Sequence, residues 1–307
     1  MQLHVTTWVP EPPNQPKFVF FINHGVAEHS ARYEEFAKTL TAIGGKVVAQ
    51  DHRGHGKTAG IYGLPLGDFG SSSNPMADIV EDCRELILQE LGGVKNNTSD
   101  AFLPWFIFGH SMGTIITQHA LATFKSHPCM QTLKGVILSG PPAIPCLIER
   151  IAFKILLRVM ILISRGHWLV RKLTFDKYDG LMKKRHPSEV GGKNCWLNTD
   201  PLQVERYNTD PLCGQDMSFR FWLSALEHIS GSRALDIVVG KETRLLLLGG
   251  EDDAATDFGK SLNEVESRFS KVFSSAEKKV WAGARHEILK ERSKSEVLDK
   301  VLEFVGK

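Results

Sequence analysis

The chain has 307 residues, 42% of them hydrophobic, enough to bury one sizeable core and fitting either a single domain with an insertion or two small domains. Its 37 Lys and Arg nearly balance 35 Asp and Glu, and no block of five like charges occurs, so the electrostatic footprint of a nucleic-acid binder is missing. Five cysteines, odd in number and without a CxxC pair, suggest neither a disulfide framework nor a structural zinc site.

The segment before residue 18 holds prolines and an acid but no apolar signal-like run, which predicts a reduced, cytoplasmic setting in which the asparagines of NNTS at 96–99 carry no glycan. Residues 18–22 are all apolar and end in NHG, the pattern of a strand buried on both faces. Residues 46–49, followed by QDHRGHG, form the next such run. Between them Tyr33, Phe36, Ala37 and Leu40 share one helical face, and Gly44 and Gly45 stop the helix. The rhythm repeats as helix 75–90, strand 105–108, helix 113–125, strand 135–138, strand 244–248, strand 278–281 and a closing helix 294–305. Continuous apolar strands alternating with helices predict a mostly parallel sheet covered on both faces. Residues 141–240 break the rhythm with a mostly helical stretch and read as a cap inserted into a core made of 1–140 and 241–307.

The apolar segment 144–170 is interrupted by Glu149, Arg150, Lys154, Arg158 and Arg165 too often to span a bilayer. Two readings of it remain: a cap helix packing its apolar face over the active site, and a basic amphipathic helix on a membrane surface.

The sharpest motif is GHSMG at 109–113, placed directly after strand WFIF and before TIITQHALATF, the strand-turn-helix setting of a nucleophile elbow. Its glycines would permit a tight turn and a close strand-helix approach, leaving the Ser111 hydroxyl exposed. A serine nucleophile needs a neutral imidazole, and the imidazole needs a carboxylate to fix its tautomer. Of twelve histidines His286, in GARHEIL, is the only one beyond His228, and it follows the last strand. For the acid, GGEDDAATDFG offers Glu251, Asp252, Asp253 and Asp257, and spacing does not choose among them. By position the oxyanion donors are the amides of Met112, after the nucleophile, and Val26, after HG at 24–25, with His24 holding that loop. RGHGKTAG matches a dinucleotide loop only in part, and GKT at 56–58 fails as a phosphate loop because Asp51 stands where a glycine is required.

Taken in order, NHGVAEHSARYEEFAKTL, DHRGHGKTAG, GHSMG, YNTDPLCG, LLLLGGEDDA and GARHEILKE resemble the monoacylglycerol lipase and lysophospholipase branch of the α/β-hydrolases, also labelled serine aminopeptidase S33 or hydrolase-4. The resemblance implies the α/β-hydrolase fold with an inserted helical cap that forms an apolar acyl tunnel. It implies Ser111, Asp253 and His286 as catalytic, Val26 and Met112 as oxyanion donors, and His110 and Tyr207 near the substrate head group. Ala254 stands where the family has proline, which keeps Asp252 as a competitor for the acid. The expected reaction is hydrolysis of a small lipid or ester, with no metal or organic cofactor and no nucleic acid, by an enzyme that is cytoplasmic or peripheral at membranes through the cap. A peptidase or thioesterase could use the same triad, the former with Glu189 or Glu205 binding an amino terminus, and a non-catalytic membrane- or protein-binding module is the reading from another class.

Overall fold

A computed structural model describes residues 2–93, 102–125, 127–163, 167–188 and 191–306. The NNTS asparagines, Arg165 and Glu189 lie outside the described residues. The sheet has seven strands in the order β1-β3-β2-β4-β5-β6-β7: β1 (Val5–Trp8), β2 (Phe18–Asn23), β3 (Gly45–Gln50), β4 (Trp105–His110), β5 (Leu133–Ser139), β6 (Arg244–Gly250) and β7 (Ser275–Trp281). Only β1 is antiparallel, pairing Val5 with Gln50 and Trp8 with Val47 along β3. The sequence analysis missed it because VTTW is too short for its alternation to stand out beside the proline-rich lead.

The apolar runs serve two cores at once because successive side chains point to opposite faces. On one face Val19, Phe21, Trp105, Ile107, Val136, Leu245 and Leu247 meet α3 (Pro75–Gly93), α4 (Met112–Thr123) and α10 (Lys260–Phe269). On the other, Phe20, Ile22, Phe106, Phe108, Ile137, Leu246 and Leu248 meet α1 (Glu34–Ala42) and α11 (Lys294–Gly306). Each fully buried Leu or Phe contributes roughly 1.5–3 kcal/mol, so the strands could not shift register without exposing one core. A short α2 (Gly56–Ile61) follows β3. The predicted helix around Tyr33 begins as a 3-10 turn, Ser30–Tyr33, and becomes α-helical only from Glu34; Gly44, at φ +96°, ends it as expected.

Between β5 and β6 the chain forms α5 (Leu147–Ile163), α6 (His167–Leu173), α7 (Phe175–Arg185), α8 (Pro201–Thr209) and α9 (Phe219–Gly231). This stretch is not packed uniformly apart from the core. Phe221 of α9 is fully buried in the same apolar cluster as the strands and stacks on Phe69 at 5.1 Å. Among the described residues no helix is long and apolar enough to cross a membrane.

Candidate active site

Parallel strands deliver their following loops to one edge of the sheet, and Ser111 after β4, Asp253 after β6 and His286 after β7 all stand at that edge. Ser111 has φ 52° and ψ −119°, a conformation that costs a non-glycine residue on the order of 1–3 kcal/mol. The cost is borne because its own backbone groups are held on both sides: the Ser111 amide donates to the Ser139 carbonyl at 2.9 Å, and its carbonyl accepts from the Thr114 amide at 2.9 Å and hydroxyl at 2.7 Å. The flanking glycines act through space, not through a positive φ. A Cβ on Gly109 would collide with the Gly113 carbonyl, and one on Gly113 with the Asn23 carbonyl.

His286 and Asp253 are both buried, with Nδ1 of the imidazole 2.8 Å from Asp253 Oδ2. The other carboxylate oxygen accepts from the Ala255 amide at 2.9 Å, so the carboxylate cannot rotate away. The remaining acids of the loop are engaged elsewhere. Asp252 pairs with Arg185 at 2.6 Å and His186 at 2.9 Å, Glu251 accepts from the Gly283 amide, and Asp257 pairs with Lys260. Burial works against a charged His286, yet the Asp253 carboxylate, with Glu287 and Glu28, outweighs it and holds the imidazole above its ordinary value. His286 Nε2 is buried and makes no hydrogen bond among the described residues, so the step to Ser111 is not closed, a common state of catalytic contacts in the absence of substrate. Gly140, at φ +59°, lets the chain leaving β5 pass beside the pair; a Cβ there would sit 3.0 Å from the His286 ring and 3.3 Å from Asp253.

The loop after β2 is held by its own network. His24 bridges Gly25 O at 2.7 Å and the His52 amide at 3.0 Å, a structural role, and burial keeps its pKa below the ordinary value. Gly25 is needed for room: a Cβ would lie 2.8 Å from Glu28 and 3.3 Å from both His110 and Ser111. The Gly25 amide donates to Glu28 Oε1 at 2.6 Å, Tyr33 donates to the same oxygen, and Arg32 joins Glu28 to Glu287 at 2.6 Å each. Thus the residue beside His286 and the loop carrying Val26 share one buried ion network. Tyr207 does not offer its hydroxyl freely, because it donates to the Ala27 carbonyl at 3.0 Å while Arg32 covers its ring at 4.9 Å. His110 lies 4.7 Å from the His286 ring, and burial, then the His286 charge, push its pKa down to about 4.

A cavity of about 520 Å³ opens over Ser111, with Val26 and Met112 in its wall and Phe153, Leu156, Trp222 and Leu226 above. A more polar cleft of about 580 Å³ runs from Arg32 toward Lys294 and reaches His110 and Ser139 but not Ser111. Of the two, only the apolar cavity is lined by Ser111. Among the described residues the one grouping of donors close enough for a metal is His29, Asp210 and Cys213, in which His29 and Asp210 already satisfy each other at 2.9 Å.

The segment around Trp196 also reaches the site, with no motif in the sequence to announce it. Arg285 reaches the carbonyls of Cys195 at 2.8 Å and Asn198 at 2.9 Å, the Glu287 amide donates to Leu197 O at 2.8 Å, and the Trp196 ring lies 4.9 Å from that of His286. These bonds run mostly to backbone carbonyls, which leave no side-chain signature. An arginine beside the last histidine was the only clue.

The model of the family described as serine aminopeptidase, S33 matches residues 14–293. Monoglyceride lipase of Homo sapiens is 27% identical over 285 residues, covering 92% of this chain and 79% of that one. The monoglyceride lipase homolog of Monkeypox virus is 26% identical over 283 residues, covering 92% and 86%. Among solved structures a thermostable carboxyl esterase from Bacillus coagulans superposes with a TM-score of 0.79 at 23% identity, covering 99% of this chain and 93% of its own, which bears on the fold.

Proposed function

The chain belongs to the serine aminopeptidase S33 family of α/β-hydrolases and is a serine ester hydrolase, and from that premise we propose that it cleaves a single-chain lipid ester, a monoacylglycerol or a lysophospholipid, through an acyl-enzyme on Ser111. The observation that carries this reading is the apolar cavity over Ser111, with the buried His286–Asp253 pair beside it. An acyl chain fits such a lining, and a polar head group does not. Relatives named monoglyceride lipases support the same choice of substrate.

In this reading His286 Nε2 takes the proton of the Ser111 hydroxyl as Oγ attacks the ester carbonyl, and Asp253 keeps Nδ1 protonated and stabilises the imidazolium. The amides of Val26 and Met112 hold the oxyanion. His286 then gives its proton to the departing alcohol, takes one from water, and the resulting hydroxide releases the fatty acid from Ser111. His110, held neutral beside His286, and Tyr207, fixing Ala27, serve the head-group side of the site. No step needs a metal or an organic cofactor.

Residues 141–240 then act as a cap over a core of 1–140 and 241–307. Helix α5 supports both earlier readings of its segment. Phe153 and Leu156 face the cavity and Leu157 is buried, while Ile148, Ile151, Ile155 and Leu162 are exposed on the outside with Arg158. An outer face of this kind suits a peripheral lipid surface, in keeping with a cytoplasmic enzyme that draws its substrate from membranes. An aminopeptidase would need a free carboxylate in the cavity wall; among the described residues the wall holds Glu149, which is paired with Lys177 at 3.8 Å, and Glu205 lies exposed elsewhere.

The test is a hydrolysis panel with the purified protein and its Ser111→Ala variant on p-nitrophenyl esters, monoacylglycerol, lysophosphatidylcholine and an aminoacyl-amide. The proposal expects the highest kcat/KM on a lipid ester and its loss with Ser111. A preference for the amide would move the enzyme to the peptidase side of its family.

A further inference from the structure

The His286 imidazole is flanked by two rings of different chemistry: His110 at 4.7 Å and Trp196 at 4.9 Å between centroids. Trp196 does not come from the sheet. It sits in the 3-10 turn Cys195–Leu197, within the insertion, and is buried with its indole nitrogen making no hydrogen bond among the described residues. A buried indole usually finds a partner for that N–H, so hydrogen bonding is not what places the ring. What places it is packing against Phe175, stacked at 6.1 Å, and Tyr178 at 5.0 Å, together with the three bonds that tie residues 195–198 to Arg285 and Glu287. The same ring lines both the apolar cavity and the small recess that contains Ser111 and His286.

We propose, resting on the reading of Ser111 and His286 as nucleophile and base, that Trp196 is a positioning residue of this active site whose π system, 4.9 Å away and tilted by 42° to the imidazole, stabilises the imidazolium His286 becomes when it takes the serine proton. Tryptophan is the best aromatic partner for a cation within about 6 Å of its ring, and the attraction grows when water is excluded. The step involves no new bond. The proton passes from Ser111 to His286 as before, and Trp196 lowers the free energy of the charged state that follows. Because the ring arrives on the insertion, the base is complete only while residues 195–198 are docked on the loop 285–287.

The groups acting on His286 are Asp253 from the turn after β6, Glu287 on its own loop, Glu28 from the segment after β2, His110 at the end of β4 and Ser111 in the shared recess; Arg32 pairs with both glutamates, and on the far side of Trp196 lies Tyr178 of α7, whose hydroxyl burial and then Asp253 push up to about 12. Among them Tyr178 alone is in ring contact with Trp196, and Trp196→Phe keeps an aromatic ring against it, so comparing the two variants separates the indole from that neighbour. Trp196→Leu keeps an apolar neighbour and removes the π face; Trp196→Phe keeps a weaker one and guards against a leucine variant that fails to fold.

The experiment is an NMR titration of histidine-labelled protein in a Ser111→Ala background, with the His286 signal assigned by its absence in His286→Gln. It reads the base directly whether or not the enzyme turns over a given ester. The expected result is a fall in the His286 pKa of about half a unit to one unit in Trp196→Leu and a smaller fall in Trp196→Phe, with kcat/KM of the Ser111 enzyme down by roughly 3- to 30-fold on an activated ester. If Trp196 only fills space, admitting water would favour the charged imidazole, so a pKa that is unmoved or raised overturns the proposal. An intact pKa effect without any esterase activity would instead strike at the catalytic reading on which it rests.

Discussion

Strand β4 buries every residue from Trp105 to His110, whereas helix α5 leaves Ile148 79% and Leu162 84% exposed although both belong to apolar runs of similar appearance. The difference lies in what each run is asked to hold. A strand between two neighbours must satisfy two cores, and its end can then fix a strained Ser111 and a close glycine contact. Helix α5 turns one apolar face to the cavity and leaves the other in solvent.

The strongest way to break this contrast is at the acid. Asp253→Asn is expected to lower kcat by about four orders of magnitude, since an amide would favour the wrong imidazole tautomer, while Asp252→Asn, which only loosens Arg185 and His186, stays within a few-fold. Steady-state kinetics of both variants checks this, and equal losses would mean that the hydrogen bond to His286 does not define the acid.

Acid should unfold the sheet side of the site. Burial, with the His24 charge next, pushes His55 down to about 3, so the folded chain binds this proton more weakly than the unfolded one. The resulting stability is present above the ordinary histidine value near 6.5 and is lost as pH falls from there toward 3, by at most on the order of 4 kcal/mol. His286, raised in the folded state, contributes with the opposite sign: its share is present at low pH and lost as pH rises through its folded value. Urea midpoints at pH 7, 5 and 4 should fall in that order, and His55→Gln should flatten the slope. A midpoint independent of pH in this window would show that His55 is not held neutral.

The smallest effect on chemistry belongs to the outer face of α5. Ile148→Asp combined with Leu162→Asp should reduce binding to phospholipid vesicles about tenfold or more and leave hydrolysis of a soluble short-chain ester within about two-fold. Unchanged vesicle binding would place the contact elsewhere.

These regions also differ in how much could be read from residues alone. The strands around GHSMG were legible because burial on both faces forces unbroken apolar runs, and Ser111 and His286, the proposed nucleophile and base, were singled out by motif and chain order. The acid was legible only through family likeness, because four carboxylates share one loop and it takes folded geometry to send Asp252 to Arg185 and Asp253 to His286. Trp196 and the Glu28–Arg32–Glu287 network were illegible, since they join segments far apart in the chain and, at residues 195–198, through main-chain carbonyls. The apolar cap helix was visible, but not which of its faces turned inward.

The central claim is an acyl-enzyme on Ser111, and rapid acid quench followed by intact-mass and peptide-mapping mass spectrometry, with a p-nitrophenyl ester of a medium-chain acid, tests it most directly. The account predicts a transient acyl adduct on the peptide containing Ser111, formed in step with the first burst of nitrophenol and absent in Ser111→Ala. Undiminished turnover by Ser111→Ala, or an adduct that maps to another residue, would contradict it.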